Sequence, residues 1–333
     1  MELRIIDNKV DWDTPLLTRK HSQFLQSWDW GVFQQMIGRD VIRMRAFDGD
    51  TPLVSMQAML HPLPLGYSYW YVPRGPYLHN TANLPEEFFS RALQLLHDQH
   101  GETMFVRIEP LTKGVVSGVI VPTVQPAHEL AVKLYLSEAE LLEAMREKTR
   151  YNIRLSARKG VTVRRIEQTE YALRAFPKVW HLLQSTAKRQ GIHTHAKEYY
   201  EVMLQTLLPT GQAQLFVAEY DKRIIAAHVT LGYGDTLYYA HGASSSPERQ
   251  LMAPHLLHWT AMQYGRERGY NYYNFGGVSP LGAENHKWQS LTHFKQGFGD
   301  VETIERLSYP RAVDLVQRPV WYWVYNNIKR IRR

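Results

Sequence analysis

Apolar positions along this chain alternate with period two or recur with helical spacing, and they form two runs of elements in similar order. In the first run, Ser27 to Gly38 is aromatic-rich and predicts a short helix with Gly38 as its stop. Val41 to Phe47 alternates, turns at Asp48-Gly49-Asp50 and resumes over Pro52 to Leu60, which predicts a hairpin. Tyr67 to Val72 is a further strand ending at Pro73-Arg74-Gly75-Pro76; a helix follows from Pro85 to about Gln99, then strands at Met104–Ile108 and His128–Leu136. Ser137-Glu138-Ala139-Glu140 has a capping-box pattern, and a basic stretch runs from Lys148 to Lys159.

The second run opens with a strand at Val161–Ile166, a long helix from Ala172 to Gln190 stopped by Gly191, and another helix from Glu198 to Leu208. Gln214–Tyr220, Ile224–Gly232 and Thr236–His241 read as a three-stranded meander. A helix from Ala253 to Arg268 and a strand from Tyr270 to Phe275 complete the run. The boundary between the runs falls near 137–150, with no low-complexity linker.

Composition narrows the function. A length of 333 residues favours two domains, and 44% apolar with 21% charged residues is ordinary for a globular chain. The excess of 39 Lys+Arg over 32 Asp+Glu, net +7, suits a polyanionic partner such as RNA, nucleotide phosphates or anionic lipid. The absence of cysteine excludes disulfides, zinc thiolates, iron–sulfur clusters and thiol nucleophiles. The N-terminus lacks a signal-peptide layout, and no apolar run approaches the ~20 residues of a membrane span. These features predict a cytoplasmic protein.

The candidate chemistry centres on His293-Phe294-Lys295-Gln296-Gly297-Phe298-Gly299, read with the Gly276-Gly277 turn. A lysine between aromatics and followed by glycines reads as the end of a strand where backbone and cation approach a ligand. Lysine is a compact three-donor cation suited to a developing oxyanion. The alternative is a solvated lysine beside a turn. The helix, helix, meander, helix, strand order of the second half resembles the acetyltransferase-type (GNAT) fold. However, Arg249-Gln250-Leu251-Met252-Ala253-Pro254, at the position of the pyrophosphate-binding loop, contains no glycine. Acetyl-CoA is therefore disfavoured, and no cofactor or metal is expected; His193-x-His195 has no third ligand at a convincing spacing.

Seven segments then occur in order: Phe24-Leu25-Gln26-Ser27 with Trp30-Gly31; Pro73-Arg74-Gly75-Pro76; Arg107-Ile108-Glu109-Pro110; Lys148-Thr149-Arg150-Tyr151-Asn152-Ile153-Arg154 with Gly160-Val161; Gly242-Ala243-Ser244-Ser245; Phe275-Gly276-Gly277; and Phe294 to Gly299. Together they resemble the Fem family of non-ribosomal peptidyltransferases, in the short form without a coiled-coil arm. The resemblance implies an α/β (α+β) fold of tandem GNAT-like domains, 1–140 completed by 307–333, and 141–306. It implies transfer of an aminoacyl group from aminoacyl-tRNA to the stem-peptide amine of a peptidoglycan precursor, either UDP-MurNAc-pentapeptide or lipid II, bound in a cleft on or between the domains. Lys295 matches the family's oxyanion-stabilising lysine, Phe294 its neighbour, and Gly276 and Gly277 the adjacent turn.

Two positions depart from the family pattern. Gln34 stands where a lysine often contacts acceptor phosphate, and His195 where an arginine often precedes Tyr199. Arg74, Arg189 and Lys197 are candidate replacements, or the acceptor is lipid-linked. Tyr199, Tyr238 and Tyr239 are candidate acceptor contacts, and Lys148, Arg150, Arg154 and Arg158 a candidate tRNA surface, against the alternatives of half-buried aromatics and a solvated helix face. Trp321-Tyr322-Trp323-Val324-Tyr325 before Lys329-Arg330-Ile331-Arg332-Arg333 reads as a docked helix with a solvated tail or as a peripheral membrane contact. A monomer is expected. The competing functions are aminoacyl-tRNA transfer to a lipid or protein, and a non-catalytic tRNA-binding or membrane-associated module.

Overall fold

The computed structural model describes residues 1–79, 84–85 and 87–331, with side chains as far as residue 327. The chain forms two compact units: Met1–Leu16 with Leu25–Ala127 and the chain from Tyr309 on, and Leu17–Phe24 with His128–Ser308.

The first unit begins with β1 (Glu2–Ile5), α1 (Lys9–Asp13), α2 (Trp28–Met36), β2 (Val41–Asp48), β3 (Thr51–Pro62), β4 (Ser68–Val72) and β5 (Tyr77–Leu78). Then come α3 (Phe88–Gln99), β6 (Thr103–Ile108) and β7 (Val119–Val121). The second unit contains β8 (His128–Lys133), α4 (Glu138–Ala144), α5 (Glu147–Arg158), β9 (Thr162–Ile166), α6 (Thr169–Gln190), α7 (Lys197–Leu207) and β10 (Ala213–Tyr220). It continues through β11 (Arg223–Tyr233), β12 (Thr236–Ser244), α8 (Ala253–Glu267), β13 (Tyr272–Gly277), α9 (Gln289–Lys295) and β14 (Ile304–Ser308). The chain then returns to the first unit as β15 (Ala312–Val316) and α10 (Pro319–Ile331).

Both sheets follow one plan. In the first, β1-β2-β3-β4 is an antiparallel meander, and α3 returns the chain so that β6 lies parallel to β4. In the second, β9-β10-β11-β12 is the meander and α8 brings β13 parallel to β12. A helix between the two strands is what a parallel connection requires. Beyond the parallel strand the neighbour in each sheet comes from far away in sequence, β15 in the first, followed by β7, and β8 in the second, followed by β14. The sequence reading put the 128–136 strand in the first half; it belongs to the second sheet, because its buried Leu130 and Val132 join that unit's core.

Local signals account for the helices around the site. Ser137 accepts from the Glu140 N–H at 3.2 Å while Glu140 accepts from the Ser137 N–H at 2.7 Å, a complete capping box for α4. α5 buries Thr149, Asn152, Ile153 and Ser156 at i, i+3, i+4 and i+7, leaving its charges outward. α6 ends on Gly191 at φ 62°, the left-handed conformation glycine adopts without strain. α7 leads directly into β10, with no helical arm between them. No helix of the described residues is long and apolar enough to cross a membrane. The side chains of Lys329, Arg330, Ile331, Arg332 and Arg333, the basic end of the expected membrane contact, lie outside the described residues.

Candidate active site

The second sheet opens where its two parallel strands stop pairing. β12 and β13 are in register over Thr236–Tyr238 and Tyr272–Asn274 and then part. β13 breaks its ladder with β8 at the same level and resumes pairing at Gly277, opposite Glu129. Gly276 makes this break, with φ at 70°.

Lys295 meets this opening from α9. It was expected at the end of a strand; it instead occupies the last residue of a seven-residue helix, in which Thr292 closes the turn by donating to the Trp288 carbonyl at 2.8 Å. Its Nζ donates to the Gly277 carbonyl at 2.6 Å, and the residue is only 3% exposed. The solvated-lysine alternative is therefore excluded. Burial, opposed by the Glu129 carboxylate, pushes the ammonium down to about 7 from 10.5. Glu129 is itself buried and accepts from Asn274 Nδ2 at 2.9 Å, while Asn274 Oδ1 accepts from the Gly276 N–H at 2.7 Å. One asparagine thus ties the carboxylate to the bulge.

The wall beside Lys295 is aromatic. Phe294 packs edge-on against His255 and Phe298, with centroids 5.0 and 5.4 Å away, and lies 5.6 Å from His258. His258 hydrogen-bonds through Nδ1 to the Tyr273 hydroxyl at 2.9 Å and packs on His228 and Tyr239 at 4.2 and 4.7 Å. Burial pushes His228 down to about 3 and His255 to about 4, and with His228 and Lys295 nearby it holds His258 well below the usual range. These imidazoles are neutral at physiological pH. Above Phe294 a cavity of about 120 Å³ is lined by Ser244, Ser245, Met252, Pro254 and His255. Here Met252 has φ 55° and Pro254 in the first turn of α8 offers no N–H. The loop therefore cannot form the row of backbone donors that a CoA pyrophosphate needs.

The other expected site residues divide sharply. Tyr239 is half-buried beside His258, and its hydroxyl fills the space that a side chain on Gly242 would need. Tyr238 points to the opposite face, donates its hydroxyl to the Ser22 carbonyl at 3.0 Å and packs on Phe24, so it is a core residue and not an acceptor contact. His195 and Tyr199 stack with centroids 3.8 Å apart. Of the replacement cations, Lys197 pairs with Glu201 at 2.9 Å and Arg189 donates to Ser246 Oγ at 2.6 Å. Arg150 turns back to donate to the carbonyls of Leu142, Glu143 and Met145, closing the end of α4. It leaves Lys148, Arg154 and Arg158 as the exposed cations of α5, with Tyr151 between Lys148 and Arg158.

Gln34 and Arg74 lie in the first unit and are buried. Gln34 accepts from the Arg39 guanidinium. Arg74 stacks 3.6 Å from the Tyr309 ring and donates to the Pro126 carbonyl at 2.7 Å, so its charge is committed within the fold and does not replace a phosphate-binding lysine. Glu109 is likewise structural, accepting from the Tyr71 hydroxyl at 2.9 Å and from the Val124 and Gln125 N–H groups. Glu129, Asn274 and His258 were not identified in the sequence as parts of the site. Glu129 is placed by its register opposite Gly277, which no local pattern contains.

Residues 144–288 match the acetyltransferase (GNAT) domain family. A lipid II:glycine glycyltransferase of Staphylococcus saprophyticus is 21% identical over 406 aligned residues, covering 97% of this chain and 95% of that protein. The aminoacyltransferase FemB of Staphylococcus epidermidis is 34% identical over 96 residues, 28% of this chain and 22% of FemB. The crystal structure of FemX superposes with a TM-score of 0.80 at 18% identity, covering 97% of this chain and 99% of that one. The chain therefore carries two GNAT-like units built on one plan and is similar to Fem proteins over nearly its whole length.

Proposed function

We propose that this protein transfers an aminoacyl group from aminoacyl-tRNA to the amine of the stem-peptide side chain of a lipid-linked peptidoglycan precursor. The observation that carries the reading is a buried lysine anchored at the mouth of a GNAT-like strand opening whose loop cannot cradle CoA. The similarity to a lipid II:glycine glycyltransferase supports the acceptor class.

The reaction is aminolysis of an ester. The acceptor nitrogen forms a bond to the aminoacyl carbonyl carbon, negative charge collects on the carbonyl oxygen, and collapse breaks the carbon–oxygen bond to the tRNA ribose. The nitrogen loses one proton and the ribose oxygen gains one, so no external base is consumed. Lys295 carries three Nζ protons; the Gly277 carbonyl takes one, and two remain for the oxyanion. An ammonium poised near neutrality is drawn fully into its charged form as the oxyanion develops. Phe294, His255 and Phe298 provide an apolar wall that keeps water from the ester. Lys148, Arg154 and Arg158 supply a cationic face for the tRNA backbone. Exposed Trp321 and Trp323 on α10, 42% and 68% accessible, suit contact with a membrane interface where a lipid-linked acceptor resides.

The test is a matrix of charged tRNAs against UDP-linked and lipid-linked muramyl pentapeptides, read by product mass. Addition of one aminoacyl residue to the lipid-linked acceptor is expected. If neither acceptor gains mass with any tRNA, the reading is wrong.

A further inference from the structure

Glu129 is a carboxylate buried to 6% exposure that accepts from Asn274 Nδ2, a neutral donor. A glutamine would accept from Asn274 equally well. Burying a carboxylate costs several kcal/mol unless a cation answers it. The register supplies one. Glu129 is the cross-strand partner of Gly277, and the Gly277 carbonyl holds Lys295 Nζ.

We propose that Glu129 is the positioning residue of this site, its carboxylate fixed by Asn274 so that Lys295 Nζ stays protonated and aimed into the strand opening. The proposal rests on the assignment of Lys295 to the reacting carbonyl. The other titratable groups around the lysine do not supply the negative charge. His255 and His258 of α8 and His228 of β11 are held neutral by burial, and burial raises Tyr239 of β12 and Tyr273 of β13. On the outer side, His293 of α9 contacts Arg146, and Arg306 of β14 donates to the Ser279 carbonyl. The carboxylate acting on Lys295 is Glu129.

The test compares the parent with Glu129→Gln and Glu129→Asp. The Lys295 ammonium is titrated directly by NMR of ¹³Cε-labelled lysine, assigned with Lys295→Met, and transfer is followed against pH in parallel. In Glu129→Gln, which keeps an acceptor for Asn274, Lys295 is expected to titrate about one pH unit lower or more. Transfer at pH 7 is then expected to fall about fivefold and to recover on acidification, as the protonated fraction does. Glu129→Asp, which keeps the charge, is expected to retain most of the parent behaviour. An unchanged Lys295 titration in Glu129→Gln overturns the proposal and leaves Glu129 a structural partner of Asn274. A shifted titration with unchanged transfer also overturns it, by removing Lys295 from the reaction while leaving the electrostatic pair in place.

Discussion

Replacing Lys295 by methionine is expected to make the fold less sensitive to pH while it slows transfer sharply. Holding this ammonium inside the protein lowers it from 10.5 to about 7. At about 1.4 kcal/mol per pH unit, that interval corresponds to on the order of 5 kcal/mol of stability forgone at low pH. The sign follows from proton counts. Between 7 and 10.5 the unfolded chain binds a proton that the folded chain does not, so the parent gains stability as pH rises. Below 7 both states are protonated and the full cost is present. Methionine fills a similar volume and carries no charge, so its contribution is flat with pH. The stability difference between variant and parent is therefore expected to move in the parent's favour by about 2 kcal/mol between pH 7 and pH 9. Urea unfolding of both proteins across that range measures the difference. A difference constant with pH would refute the claim that Lys295 is a desolvated cation.

Three further outcomes follow, two of them from the surfaces. Replacing Lys148, Arg154 and Arg158 together by alanine is expected to weaken tRNA binding and reduce the slope of log affinity against log salt by about 2, if each contacts one phosphate. Arg150→Met, which removes the carbonyl cap at the end of α4, is expected to lower the melting temperature without changing that slope. Trp321→Ser with Trp323→Ser is expected to reduce co-sedimentation with anionic liposomes, and unchanged sedimentation would remove α10 from the membrane contact.

How far the sequence was readable depended on the range of the interaction that decides each element. The capping box at Ser137, the stop at Gly191 and the β10–β11–β12 meander rest on residues close in sequence, and their signals are local. The assignment of β8 to the second sheet rests on pairing with β13 and β14, more than a hundred residues later, and no periodicity within His128–Lys133 encodes it. The segment bearing Lys295 was misread for a related reason. Seven residues followed closely by Gly297 and Gly299 carry little helical periodicity, and α9 is fixed by contacts such as Thr292 Oγ1 accepting from the Ser279 N–H at 2.8 Å. The lysine was conspicuous because of its neighbours Phe294 and Gly297, whereas Glu129 sits in an ordinary alternating strand. Tyr238 and Tyr239 were indistinguishable by type; the strand alternation that separates them into core and site became decisive only once the faces of β12 were known.

On the proposed mechanism, Lys295 stabilises the oxyanion of aminoacyl transfer. The most direct test of this role is the single-turnover rate of aminoacyl transfer from charged tRNA to the lipid-linked acceptor, for the parent and Lys295→Met with tRNA affinity measured in parallel. A rate lowered by about 10²–10³-fold with tRNA affinity nearly unchanged is expected, the scale of losing one preorganised oxyanion donor. Transfer at the parent rate by a folded, tRNA-binding Lys295→Met protein would contradict it.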